Sequence, residues 1–231
     1  MTRYVITPPR LASLPVRGTD DRFPLRRIFC VGRNYAAHAR EMGHDDREPP
    51  FFFLKPADAV VEGGETIPFP AATDDLHHEI ELVVLLGRGG RDVAPAAVRD
   101  HLWGACVGVD LTRRDIQAEA KRQGRPWDMA KGFDRSAPMA LALPLAEVPS
   151  VERGRIWLAV NGERRQEADL AEMIWSVAEH VAALSRLVAL APGDAVMTGT
   201  PAGVGPLRPG DHVTGGVEGL PELEFRIGER G

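Results

Sequence analysis

Two glutamates one residue apart open the chemical reading of this chain: Glu79 and Glu81 in His77-His78-Glu79-Ile80-Glu81-Leu82-Val83-Val84. In a β-strand alternate side chains share a face, so both carboxylates point one way while Ile80 and Leu82 point the other. Their α-carbons would lie roughly 7 Å apart, within reach of a single ion. Like charges so placed repel, and a hard divalent cation would relieve the repulsion. Oxygen ligands alone favour Mg²⁺, Mn²⁺ or Ca²⁺ over Zn²⁺. Asp110, at the end of Cys106-Val107-Gly108-Val109-Asp110, supplies a candidate third carboxylate. Two plainer readings stay open. Glu-x-Glu also describes a solvated strand edge, and Asp110 could cap a following helix.

His38 and Glu41 lie three apart, on one side of a short helix, where a carboxylate can fix an imidazole's tautomer and raise its basicity. Such a pair can activate water as a general base. It also matches an ordinary surface pair. A rival metal reading takes His77-x-Glu79 with His101, His180 or His212 as a non-haem Fe²⁺ facial triad. Thr198-Gly199-Thr200-Pro201-Ala202-Gly203-Val204-Gly205 lacks the Gly-Lys-Ser/Thr ending of a phosphate loop and reads as a tight turn closing a pocket.

The elements that must position these groups follow from periodicity. Arg27–Val31, Phe51–Leu54, His78–Leu86, Trp103–Asp110, Ala195–Met197 and Leu223–Ile227 read as strands, the glycines of Trp103–Asp110 implying close backbone packing. Asn34 can cap a helix over Tyr35–Met42, followed by a loop over 44–50. Pro95–His101 and Thr112–Gln123 suit short helices. Met173, Ile174, Val177, Val181, Leu184 and Val188 recur at helical spacing. Ile156–Val160, Asn161-Gly162 and Glu163–Gln166 predict a hairpin with a type I′ turn. Residues 1–25 read as an N-terminal arm with one short strand, and 26–231 as a single catalytic domain. The fold class expected is α+β and strand-rich.

The chain has 231 residues, 44% of them hydrophobic, with a net charge of -5, and this excludes a broad nucleic-acid surface. Its longest apolar runs are too short to span a bilayer, and the opening residues lack the apolar core of a signal peptide. A cytoplasmic location is therefore expected, with Cys30 and Cys106 as buried core thiols rather than a disulfide or zinc pair.

Several ordered motifs resemble the fumarylacetoacetate hydrolase family, from about Arg27 to Ile227. They are Val31–His38, Phe53–Pro56, His77–Val84, Gly108–Gln117, Trp127–Asp134, Val160–Gln166 and Thr198–Gly205. Within that family the chain looks most like short bacterial acylpyruvases, the fumarylpyruvate hydrolases of gentisate breakdown among them. The resemblance implies a mixed β-roll and a homodimer. It implies Glu79, Glu81 and Asp110 as ligands for Mg²⁺ or Mn²⁺, and His38 with Glu41 as a water-activating dyad on a mobile lid. It implies Lys131 beside metal and substrate, and Arg114, Gln117 and Thr200 holding substrate oxygens. Lys55 lies in a matching motif, where its plainest role is structural. The expected reaction is hydrolysis of the carbon–carbon bond of an acylpyruvate, a small diketo acid. Decarboxylation of oxaloacetate, isomerisation of a 2-hydroxy-dienoate, and non-catalytic binding of a metal–carboxylate complex are the alternatives.

Overall fold

Alternation along one strand, Ile80–Leu86, organises the molecule. Ile80, Leu82, Val84 and Leu86 enter the larger apolar core, while Val83 and Leu85 enter a second core on the opposite face. Each such side chain contributes about 1.5–3 kcal/mol through burial, which fixes the register of the strand. The structure is a computed structural model, and it describes residues 3–35 and 48–231. The helix expected over Tyr35–Met42, most of the loop at 44–50, and both His38 and Glu41 fall wholly or mainly outside the described residues.

Ile80–Leu86 lies inside an eight-stranded sheet, between Asp194–Met197 and Leu102–Val109. Arg27–Gly32 and Phe51–Lys55 extend the sheet on one side; Ala137–Met139 and Val60–Glu62 extend it on the other. A five-stranded sheet runs Glu163–Asp169, Arg155–Val160, His212–Val217, Leu223–Arg230, Thr66–Phe69. Asp194–Met197 pairs in parallel with Arg27–Gly32, and Leu223–Arg230 with Thr66–Phe69, while most other pairings are antiparallel. The fold is thus the expected strand-rich mixed α+β type. Among the described residues no helix is long and apolar enough to cross a membrane.

Several expectations hold locally. Asn161 (φ 52°) and Gly162 (φ 82°) make the hairpin turn. A Cβ at Gly104 would lie 2.1 Å from the Leu143 carbonyl oxygen, so close packing there requires glycine. Cys30 and Cys106 are buried and free. Residues 1–25 contain two short strands, Ser13–Pro15 and Arg22–Pro24, rather than one, and they set Leu14 and Phe23 into the second core.

Three boundaries differ from expectation. The strand expected over His78–Leu86 breaks at Glu79, because Leu76–His78 joins a separate three-stranded sheet with Thr112–Arg113 and Gly205–Leu207. That pairing also takes Thr112 and Arg113 out of the expected helix, which covers Arg114–Arg122. The helix expected from Met173 spans Val177–Leu187 instead, started by Ser176, whose hydroxyl accepts from the Glu179 amide in a capping box.

Candidate active site

The break at Glu79 delivers the site. Glu81 continues the face that carries Val83 and Leu85, Glu79 sits at the switch between two sheets, and Asp110 follows the neighbouring strand Leu102–Val109. The Asp110 amide donates to the Glu79 carbonyl at 2.8 Å, locking the two segments together. One oxygen from each of Glu79, Glu81 and Asp110 lies within 4.8 Å of the others, and all three residues are buried. The solvated-edge and helix-cap readings are thereby excluded. The helix N-cap position belongs to Arg113, which makes no side-chain capping bond.

Among the described residues three cations contact Glu79 and Asp110. Lys131, on the short helix Asp128–Lys131, reaches Glu79 and Asp110 at 2.7 Å each, and donates to Thr112 Oγ1 at 2.7 Å. Lys55, at the end of Phe51–Lys55, lies 2.8 Å from Asp110 and also donates to the carbonyls of Leu111 and Lys131. Arg114 contacts Glu79 at 2.5 Å and donates to Gln117 Oε1 at 2.6 Å. Burial alone would lower the pKa of Lys131, but Asp110 and Glu79 outweigh it and raise it. Lys55 is the residue that the plain structural reading missed. Its signal was the lysine itself, inside an otherwise apolar strand end.

Glu81 differs from its two partners. Among the described residues it has no cationic partner and accepts only the Gly199 amide, at 2.6 Å. Gly199 holds φ 97°, and a Cβ there would meet Asn34 Cβ at 2.7 Å, so the turn that presents this amide requires glycine. Burial, then the charges of Asp110 and Glu79, push the Glu81 carboxyl well above the usual range. An all-oxygen cluster with one uncompensated carboxylate fits a hard dication such as Mg²⁺ or Mn²⁺. The histidine triad is not assembled. Among the described residues this acidic trio is the metal-capable group, while His101 faces the Arg88 carbonyl and His212 faces Glu224.

A pH dependence follows from Glu81. The metal-free folded protein holds this proton more tightly than the unfolded chain does, so its stability falls as pH rises from the ordinary carboxylate range through the raised value. A dication binds the deprotonated form and expels the proton. The apparent Kd for Mn²⁺ is expected to fall by up to about tenfold per pH unit across that window and to level off above it. Calorimetric titration in buffers of different ionisation enthalpy measures the proton released; a Kd flat with pH throughout would contradict the assignment.

The pocket above the carboxylates is lined by Gln117 and Thr200, with Arg33, Arg114 and Lys121 carrying positive charge and Trp127 beside them. Sequence reasoning did not single out Arg33, Lys121 or Trp127. Burial, and after it the neighbouring Arg114 and Arg33, bring the Lys121 pKa down to about 8. Of the predicted residues, Glu79, Glu81, Asp110, Lys131, Arg114, Gln117 and Thr200 are thus brought together. A more open cavity, about 580 Å³, lies elsewhere, beside Arg164, Arg165 and Arg208, away from the carboxylate cluster.

The chain is similar to known proteins over nearly its whole length. The sequence model described as fumarylacetoacetate (FAA) hydrolase C-terminal covers residues 27–228. The chain is 42% identical over 204 residues to the mitochondrial oxaloacetate tautomerase FAHD1 of Arabidopsis thaliana, covering 88% of this chain and 92% of that one. A crystal structure from Burkholderia cenocepacia, provisionally assigned as a fumarylpyruvate hydrolase, superposes with a TM-score of 0.94 at 55% identity, covering 100% of this chain and 97% of the other. The fumarylpyruvate hydrolase of Pseudomonas aeruginosa, solved with Mn²⁺ and pyruvate, superposes with a TM-score of 0.96 at 48% identity, covering 99% and 100%.

Proposed function

The chain belongs to the fumarylacetoacetate hydrolase family, and we propose that it hydrolyses the carbon–carbon bond of an acylpyruvate, with fumarylpyruvate as the preferred substrate. The observation that carries this reading is the buried trio Glu79, Glu81 and Asp110 beneath a cation-rimmed pocket. The trio would hold Mg²⁺ or Mn²⁺, which when bound supplies a Lewis acid able to polarise a carbonyl.

The chain's own residues do the rest. Lys55, Lys131 and Arg114 already face Glu79 and Asp110, so among the described residues a bound dication tips the centre towards positive charge, suited to an anionic substrate. Lys131 is a compact charge placed against a developing oxyanion, while Arg114 and Gln117, already hydrogen-bonded together, offer oriented groups to substrate oxygens. His38, oriented by Glu41, takes a proton from water; this assignment rests on the family resemblance, both residues lying outside the described part. Hydroxide adds to the distal acyl carbonyl, the bond to the methylene carbon breaks, and the released pyruvate carbanion is protonated at that carbon. The products are a carboxylic acid and pyruvate.

Arg33 and Lys121 favour an acyl group that ends in a carboxylate. Two cations crowded at a pocket rim repel each other and gain from an anion between them. The higher identity to the two fumarylpyruvate hydrolase structures than to the tautomerase points the same way. The similarity to an oxaloacetate tautomerase supports a second reading on the same scaffold, since keto–enol exchange also develops charge on an enol oxygen. We further propose a homodimer, and a cytoplasmic setting in keeping with the two free thiols.

A panel of fumarylpyruvate, acetylpyruvate and oxaloacetate, assayed for pyruvate with Mn²⁺, Mg²⁺ or chelator, tests the proposal. Fumarylpyruvate is expected to be turned over best, and chelator to stop the reaction. Lys121→Met is expected to lose roughly tenfold or more in kcat/KM on fumarylpyruvate, the scale of one hydrogen bond to a charged group, with acetylpyruvate little changed. Faster exchange between the keto and enol forms of oxaloacetate, followed by the enol absorbance, with both acylpyruvates left intact would instead establish the second reading.

A further inference from the structure

Gln166 lies one sheet away from the carboxylates, on Glu163–Asp169, and is 1% exposed. Its side-chain amide is fully engaged. Oε1 accepts from the Ile80 amide at 3.1 Å and meets His78 Nδ1 at 2.9 Å; Nε2 donates to Thr200 Oγ1 at 2.8 Å and to the Pro201 carbonyl at 2.9 Å. The orientation of the amide is fixed by chemistry. The Ile80 amide can only donate and the Pro201 carbonyl can only accept, so oxygen and nitrogen cannot be exchanged.

Two consequences follow. His78 must carry its hydrogen on Nδ1, and Thr200 Oγ1 must act as the acceptor toward Gln166. The Thr200 hydroxyl hydrogen therefore points away from Gln166, and among the described residues it donates to none. Thr198, two residues earlier, behaves oppositely, donating its hydroxyl hydrogen to the Leu82 carbonyl. Thr200 lines the pocket with Glu79, Glu81, Gln117 and Lys131. We infer that Gln166 is a positioning residue for the reaction: its amide holds Thr200 Oγ1 as an acceptor, so that the hydroxyl presents its hydrogen to a substrate oxygen. This rests on the reading that Thr200 meets the substrate.

The test is a double-mutant cycle at saturating Mn²⁺ with fumarylpyruvate. Thr200→Val removes the donor and is expected to lower kcat/KM on the order of 10- to 100-fold, the loss of one hydrogen bond to a charged group. Gln166→Glu keeps the acceptor toward Ile80 and His78 but offers Thr200 only an oxygen, which turns the hydroxyl hydrogen away from the pocket. Its loss is expected to match that of Thr200→Val, and the double variant to lose no more than either. A normal Gln166→Glu beside an impaired Thr200→Val, or losses that multiply, would overturn the inference while leaving the Thr200 assignment standing. A normal Thr200→Val would remove Thr200 from the substrate site and the role of Gln166 with it. Should Gln166→Glu fail to fold by circular dichroism, Thr200→Ser decides. A serine oxygen anchored by the amide should keep kcat/KM within about threefold of the wild type, whereas serine behaving like valine would refute the anchoring.

Discussion

Glu81→Gln is expected to lose at least about a thousandfold in kcat/KM on the best acylpyruvate, because Lewis-acid stabilisation by a held ion is worth several kcal/mol. The substitution is nearly isosteric and can keep the Gly199 amide satisfied through its oxygen. What it removes is the carboxylate that lacks a cationic partner among the described residues. A folding defect would not explain the loss. The charged form of Glu81 is disfavoured by burial and by Asp110 and Glu79, so the metal-free variant should be more stable than the wild type near neutral pH. Steady-state kinetics together with urea unfolding check both halves. Retained activity would place Glu81 outside the catalytic centre.

Lys131→Met should behave in the opposite way in the metal-free state. Its ammonium bridges Glu79 and Asp110 and also holds Thr112 Oγ1. Its removal leaves Glu79 to Arg114 and Asp110 to Lys55 alone, and takes away three buried charge-assisted or polar hydrogen bonds, at a cost of about 1–3 kcal/mol. Mn²⁺ at a hundred times its Kd should restore about 2.7 kcal/mol, since the ion binds the folded form alone. Turnover should still fall by about 10²–10³-fold in the refolded, metal-loaded variant, the typical effect of removing one oxyanion-stabilising donor. Thermal unfolding with and without Mn²⁺ separates the two effects. A variant as stable as the wild type without metal would contradict the bridging role.

The acidic pair was legible because alternation along an extended segment puts Glu79 and Glu81 on one side, and the two carboxylates do converge although the strand itself begins only at Ile80. The hairpin at Asn161-Gly162 was equally plain, since few residue pairs accept two positive φ values in succession. The break at Glu79 was not legible. His77, His78 and Ile80 all suit a strand, and nothing in the local pattern shows that Leu76–His78 pairs with Gly205–Leu207, far along the chain. Helical spacing from Met173 misled for a related reason: periodicity does not mark where a helix starts, and the Ser176 capping box does. The partners of Lys55 and Gln166, namely Asp110 and Thr200, were not legible, because they come from other strands and turns. The roles of Arg114, Gln117 and Thr200 came from the family motifs rather than from spacing. Their presence in one pocket is a property of the fold.

Mn²⁺ binding to metal-free protein, followed by electron paramagnetic resonance, addresses the three-carboxylate centre most directly. One tightly held Mn²⁺ per chain is expected, its spectrum altered when pyruvate is added, with that site lost in Glu79→Gln, Glu81→Gln and Asp110→Asn alike. Tight binding that survived in all three variants, or none in the parent protein, would mean that these acids do not form the centre at which the chemistry occurs.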